Sequence, residues 1–332
     1  MNRNPMRGWT KAGLVLLLGS VLTAGGVAAP AAAGGQDRGH HRGWDRDRGW
    51  DHHRGWDRGW DRGWDRGWDR DRDRGGEVDY VALGDSYASG FGGGPLLDAC
   101  GRTAEGYPAL LDALRRVDRE ADVTCAGATA SSTPPGAPAG PVDLPEQIAA
   151  LRADGSLNRG TDLVTVTIGG NDVQFGAVVQ ACIGPVLPET CAPAIASATA
   201  YAQTTLTAQL QESLRQVREL APRAELVLVG YPYLFEAGTA GPLSPEAVAL
   251  FSQGTDALNA VLAGQVQRGE TFVDVTDEFA GHGVGSADPW IIALGSEFQL
   301  HPNATGYREG YLAAITADVH LGHGKGHCRG RR

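Results

Sequence analysis

The sequence predicts an α/β protein, a three-layer α/β/α sandwich built on a five-stranded, mainly parallel, doubly wound sheet. Five short apolar or β-branched runs stand at residues 78–83, 123–125, 163–168, 226–229 and 272–275. Helix-length segments separate them, and strands joined by crossovers of that length run largely parallel. The body that contains them, residues 77–323, is 247 residues long, which suits one domain with a buried core.

The helices follow in order. A first one is expected over 109–116, after Pro108, and a second over 144–151, with Pro145 and Glu146 in its first turn. Over 201–220, Leu206, Leu210, Leu214 and Val217 are spaced by four, four and three, which places them on one helical face. Ser244-Pro245-Glu246 opens a helix over 245–266, the serine capping and the proline at the first helical position. A last helix is expected after His301, over about 304–319.

Outside the body the composition changes abruptly. Residues 1–33 read as a secretory signal peptide: Arg3, Arg7 and Lys11, an apolar run, then Ala29-Pro30-Ala31-Ala32-Ala33, which offers a cleavage site near Ala33. The apolar run is interrupted by Gly19, Ser20, Thr23, Gly25 and Gly26, a poor fit to a hydrocarbon core about 30 Å thick. A secreted, extracellular protein is therefore expected. Residues 34–76 repeat Gly-Trp-Asp-Arg, hold six of the eight Trp and lack aliphatic residues for a core, which reads as a disordered linker. Its Trp and Arg could stack weakly on carbohydrate or envelope polymers, and its His pairs are too loosely placed to form a metal site. Residues 324–332 read as a flexible basic tail containing Cys328.

This partition sharpens the charge. The whole chain carries −10, but the body has eleven Arg, no Lys and 29 acids, a net −18. Such a body repels polyanions, so nucleic-acid binding through phosphate contacts is excluded as its main role. The four body cysteines, Cys100, Cys125, Cys182 and Cys191, suggest two bridges in an oxidising compartment. Local pairing, Cys100 with Cys125 and Cys182 with Cys191, is the simplest of three connectivities.

In doubly wound sheets, chemistry gathers where the strands end. The first run ends in Gly84-Asp85-Ser86, where a glycine allows a sharp turn and a serine can be presented as a nucleophile. After the second comes Gly127, whose backbone N–H can approach a substrate oxygen. After the third come Gly169-Gly170-Asn171-Asp172, offering a neutral amide donor to a developing oxyanion. His301-Pro302-Asn303 stands just ahead of the last helix. Each block alone is common, and their order is what is informative. Asp85 and Asp172 read as braces for their turns. No Gly-x-Ser-x-Gly elbow, phosphate-binding loop or paired Cys-x-x-Cys occurs.

The four blocks, with Tyr80-Val81-Ala82-Leu83, Ser89-Gly90, Phe279-Ala280-Gly281-His282 and Pro289-Trp290, resemble the SGNH hydrolases, the GDSL-type esterases and lipases, and among them the secreted bacterial lipase-like branch. The resemblance covers residues 78–319. It implies a secreted carboxylic ester hydrolase with Ser86 as nucleophile and His301 as general base. The implied oxyanion hole is made of the Ser86 and Gly127 N–H groups and the Asn171 side chain, and no metal or cofactor is required. It further implies a monomer acting on small-molecule or lipid esters, with no nucleic-acid partner.

One departure stands out. Three residues before His301, where the family usually has Asp, this chain has Phe298. By resemblance to members that work as a Ser/His dyad, the Phe298 carbonyl orients the imidazole, with Glu297 as its rival. Related secreted members also often carry a third disulfide, of which neither half is present here, so Cys328 is an extra residue. An apolar acyl pocket is expected from the loops at 91–98, 174–190 and 231–241, including Phe175, Val178, Val179, Ile183, Val186, Leu187, Tyr233, Leu234 and Phe235. Two other functions stand beside an acyl-lipid or short-chain esterase: a polysaccharide O-acetyl esterase, and an inactive envelope-binding protein on the same fold.

Overall fold

The computed structural model describes residues 77–132 and 142–321. The expected signal peptide, the Gly-Trp-Asp-Arg repeat and the basic tail with Cys328 lie outside the described residues. Five parallel strands form one sheet: β1 Val78–Gly84, β2 Val117–Asp122, β3 Leu163–Thr167, β4 Glu225–Val229 and β5 Thr271–Val273, in the order β2-β1-β3-β4-β5. The chain moves outward from β1 to β2, then crosses back to β3 on the other side of β1. That reversal opens a crevice at the carboxyl ends of β1 and β3.

The central strands are apolar because both faces are covered. Tyr80 to Leu83 of β1 are fully buried, as are Val164 and Val166 of β3 and Val227 to Val229 of β4. The edge strand β2 differs. Its sequence Val-Asp-Arg-Glu-Ala-Asp carries four charges, tolerated because only one edge pairs, with β1. The expected second strand at 123–125 is therefore displaced: those residues continue past β2, with Val123 N–H donating to Ala82 O at 3.0 Å and Cys125 N–H to Gly84 O at 2.9 Å.

The helices are α1 Ser86–Ser89, α2 Tyr107–Asp112, α3 Leu144–Asp154, α4 Phe175–Cys182, α5 Cys191–Tyr201, α6 Thr207–Leu220, α7 Pro245–Ala263 and α8 Ala313–Asp318. One group packs α2 against a wide π-type turn at Gly306–Leu312, which runs on into α8. The other groups α3 with α6, and α7 with α5 and a second π-type turn, Ala202–Leu206. The expected face of Leu206, Leu210, Leu214 and Val217 is buried, running from the end of that turn along α6. Ser244 caps α7, its Oγ accepting from Ala247 N–H at 3.3 Å.

Three helices were not anticipated: the short α1, then α4, which occupies a stretch expected as loop, and α5, Cys-Ala-Pro-Ala-Ile-Ala-Ser-Ala-Thr-Ala-Tyr, which is built from small residues that give no 3.6-residue apolar rhythm. The disulfide Cys182–Cys191 joins the end of α4 to the start of α5, and Cys100–Cys125 ties the loop after β2 to the segment before α2. The local pairing is the one formed.

Candidate active site

Ser86 stands at the start of α1, directly beyond the end of β1. The turn that delivers it depends on Gly84, whose φ is +134° and where a Cβ would lie 2.3 Å from Thr167 O. Gln147 of α3 fastens the same residue from below: Gly84 N–H donates to Gln147 Oε1 at 2.8 Å, and Gln147 Nε2 donates to Gly84 O at 2.9 Å. The Asp85 side chain caps α1, accepting from Tyr87 N–H at 2.9 Å.

His301 arrives from far along the chain, on a hairpin-like crossing. Ile292 N–H donates to His301 O at 2.9 Å, Leu300 N–H to Ile292 O at 2.8 Å and Asn303 N–H to Trp290 O at 2.8 Å. The result is a hydrogen bond of 2.8 Å between His301 Nε2 and Ser86 Oγ. The other ring nitrogen, Nδ1, lies 2.9 Å from Gln299 O. A carbonyl can only accept, so Nδ1 carries the proton and the Nε2 lone pair faces the serine.

Nδ1 lies nearest the Gln299 carbonyl, one residue beyond the expected Phe298 carbonyl, which accepts from the His301 backbone N–H at 3.3 Å and also faces the imidazole. Phe298 and Leu300 both adopt left-handed backbone, φ 60° and 62°, and this double turn brings the Gln299 carbonyl under the ring. Such conformations cost non-glycine residues about 1–2 kcal/mol each. The Phe298 ring contributes packing instead, edge-on against Phe91 with 4.8 Å between centroids, and Phe91 packs on His301 at 5.0 Å. Glu297 is exposed and makes no hydrogen bond to His301.

Burial lowers the His301 pKa below the ordinary histidine value, opposed by the Gln299 and Phe298 carbonyls. Tyr87 and Phe175 add to the enclosure, their ring centroids 5.1 and 6.3 Å from the imidazole. A neutral base is thereby favoured over an imidazolium.

The other two blocks meet each other beside the turn after β1. Gly127 takes a left-handed turn, φ +86°, just past the Cys100–Cys125 bridge. Asn171 follows β3, with one Nδ2 hydrogen donated to Ala128 O at 2.9 Å and a second hydrogen left for another acceptor. Asp172 locks these two loops together: both its oxygens accept from Ala130 N–H at 3.0 Å, and burial raises its pKa to about 6.

A polar chain that the sequence did not reveal links the blocks. Gly170 N–H donates to Tyr231 Oη at 3.0 Å, and Tyr231 donates to Asp85 Oδ2 at 2.6 Å. Burial raises the Asp85 pKa to about 7, while the Tyr231 and Tyr87 hydrogen bonds pull it down. Tyr87 Oη donates to Leu300 O at 2.5 Å and so reaches the histidine segment. No residue pattern marks Tyr231, which follows β4. Gln147 left a trace, an amide within the buried set Leu144, Gln147, Ile148 and Leu151 of α3. Among the described residues, no three His, Cys, Asp or Glu side chains are grouped to hold a metal ion.

Residues 82–309 match the GDSL-like Lipase/Acylhydrolase family. The chain belongs to that family. It is 36% identical to a lipase of Streptomyces rimosus over 72% of this chain and 86% of that protein. Lipase 1 of Streptomyces coelicolor is 32% identical over 71% of this chain and 85% of its own length. Among solved structures, an extracellular lipase from Streptomyces rimosus matches at TM-score 0.62 and 34% identity, covering 73% of this chain and 100% of that one. A phospholipase A1 from Streptomyces albidoflavus matches equally at TM-score 0.62, with 30% identity and the same coverage. As a GDSL-type member of the SGNH superfamily, the protein is a serine ester hydrolase of the esterase/lipase kind.

Proposed function

We propose that Ser86 and His301 form the catalytic dyad of this hydrolase, that the Gln299 carbonyl orients the imidazole, and that the Ser86 N–H, Gly127 N–H and Asn171 Nδ2 receive the oxyanion. The observation that carries the reading is the continuous line Gln299 O, His301 Nδ1, His301 Nε2, Ser86 Oγ, with hydrogen bonds of 2.9 and 2.8 Å.

The reaction then runs in two steps. Ser86 Oγ attacks the ester carbonyl carbon while its proton passes to His301 Nε2. The tetrahedral oxyanion is held by the three donors, and its collapse breaks the bond to the alcohol oxygen, which takes the proton from His301. Water attacks the acyl-serine with His301 again as base, releasing the acid and restoring Ser86. The Gln299 carbonyl keeps Nδ1 protonated throughout, as an Asp does in a triad.

The substrate is an acyl ester of a lipid or small alcohol, and the protein is secreted after removal of residues 1–33. The basic start and small-residue site of the leader support secretion, as does the extracellular relative. A monomer suffices, because all the residues assigned here come from one chain.

Hydrolysis of a chromogenic ester by purified protein tests the assignment. Ser86→Ala should lower kcat by about 10⁴- to 10⁶-fold, and Asn171→Ala by about 10²- to 10³-fold. Glu297→Gln should stay within about twofold of the parent, as surface changes do. A large loss with Glu297→Gln in a normally folded protein would replace the carbonyl with a carboxylate in the dyad.

A further inference from the structure

A histidine in a triad is held by a carboxylate, but here the group facing Nδ1 is a main-chain carbonyl, so the backbone sets its direction. Two successive peptide planes carry that task. The first joins Gln299 C=O to Leu300 N–H, which donates to Ile292 O at 2.8 Å. In a trans peptide the two groups point opposite ways, so anchoring the N–H on Ile292 turns the Gln299 carbonyl towards the imidazole, 2.9 Å from Nδ1. The second plane joins Leu300 C=O to His301 N–H. Its N–H donates to Phe298 O at 3.3 Å, and its carbonyl accepts from Tyr87 Oη at 2.5 Å. Leu300 is buried, and among the described residues Tyr87 is the only hydrogen-bond donor to its carbonyl. Phe298 and Leu300 are left-handed, a backbone that non-glycine residues keep only when their surroundings hold it.

Tyr87 reaches this peptide from the nucleophile's side of the site. It is the residue after Ser86, its N–H donates to Asp85 Oδ1 at 2.9 Å, and its ring packs edge-on against Tyr231 with 5.1 Å between centroids. The same ring lies 5.1 Å from that of His301. Burial raises the Tyr87 pKa above the ordinary tyrosine value, so the hydroxyl remains a donor. The helix of the nucleophile and the segment of the base are thus joined twice, by Ser86 Oγ with His301 Nε2 and by Tyr87 Oη with Leu300 O. Only the second link survives acylation. Once Ser86 Oγ carries the acyl group it has no proton to donate, and the imidazole is held from the Nδ1 side alone.

We infer that Tyr87 is a positioning residue, whose hydroxyl holds the Leu300–His301 peptide and so keeps the Gln299 carbonyl on Nδ1, above all in the acyl-enzyme. The inference rests on the dyad and carbonyl reading given above. During acylation the free Ser86 hydroxyl gives the ring a second hold. During deacylation water attacks the acyl-serine and passes its proton to Nε2, with the ring aimed only by what stands behind Nδ1. Loss of the Tyr87 hydroxyl therefore slows deacylation more than acylation.

The test follows saturating p-nitrophenyl butyrate at steady state, with acid quench and mass measurement of the fraction of protein acylated on Ser86. That fraction and kcat together give the acylation and deacylation rates. The proteins are the parent, Tyr87→Phe and Tyr311→Phe. Tyr311 is the control, because its Oη also donates to a main-chain carbonyl, Gly230 O at 3.1 Å, and its ring belongs to the same aromatic cluster. Tyr87→Phe should lower the deacylation rate about tenfold and the acylation rate about twofold. The acylated fraction should therefore rise, and kcat and KM should fall together. Tyr311→Phe should leave the ratio of the two rates within about twofold of the parent. If Tyr87→Phe is only weakly folded, the same measurements at about 10 °C in about 1 M sulfate, which strengthens burial, decide. Equal slowing of both steps in the folded variant, no change in either, or the same shift in Tyr311→Phe overturns the inference. Persistent activity in Ser86→Ala would instead overturn the dyad.

Discussion

At the scale of the residue, His301 is held between a carbonyl on one nitrogen and a hydroxyl on the other, and burial decides its charge. In the proposed dyad the neutral form is the base. Because burial lowers its pKa, the imidazole stays neutral further into acid than an exposed histidine does. The acidic limb of a kcat/KM profile should therefore fall on one ionisation below the ordinary value of 6.5. A midpoint well above it would mean that a charge absent from this site raises the pKa. Tyr231 makes a second prediction. Its hydroxyl joins the Asp85 turn to the Gly170-Asn171 turn, so Tyr231→Phe leaves Gly170 N–H without its acceptor and removes a donor from a buried carboxyl. A cost of about 1–3 kcal/mol follows. Part of it should appear as a kcat about tenfold lower on a short-chain ester, with little change in KM. Unchanged kcat with a lowered melting temperature would make Tyr231 structural only.

At the scale of the element, turns matter more than helices and strands. Cys100–Cys125 fixes the loop that presents Gly127, and it closes 25 residues of chain, worth about 3 kcal/mol through the unfolded state. Replacing both cysteines by serine should lower stability by about that amount in urea unfolding. It should also lower kcat, because Gly127 is two residues from the bridge. Cys182–Cys191 spans 9 residues between α4 and α5, and its loss should disturb chain-length preference more than kcat. What could be read of these elements depended on burial. β1, β3 and β4 are covered on both faces and announce themselves as apolar runs, whereas β2 pairs on one edge only and carries charges. α6 shows its buried face as a leucine stripe, and α5, packed through small residues, shows none. The expected acyl loops thus proved to be partly helix. Phe175, Val178 and Leu234 do line the apolar cavity beside the dyad, and half of its wall comes from α5, the 202–206 turn and α7.

At the scale of the whole molecule, the hydrolase body is a strongly acidic unit, −18, within a chain of net −10. All residues proposed for catalysis lie between Ser86 and His301, so a protein beginning at Glu77 should fold and hydrolyse a soluble ester with kcat/KM within about twofold of the full chain. Failure to fold without residues 1–76 would show that the body depends on them. The sequence by itself determined the fold class, the order of the strand-end blocks, and Ser86, Gly127, Asn171 and His301 as the residues to bring together. These are local facts: apolar runs, glycine turns, and residue types whose chemistry is known before folding. Only the tertiary structure decided which carbonyl meets Nδ1, how Tyr231 joins two turns, and which helices wall the cavity. Those depend on backbone direction at single residues, such as the left-handed Phe298 and Leu300. They depend too on contacts between segments far apart in the chain, which neither periodicity nor composition records.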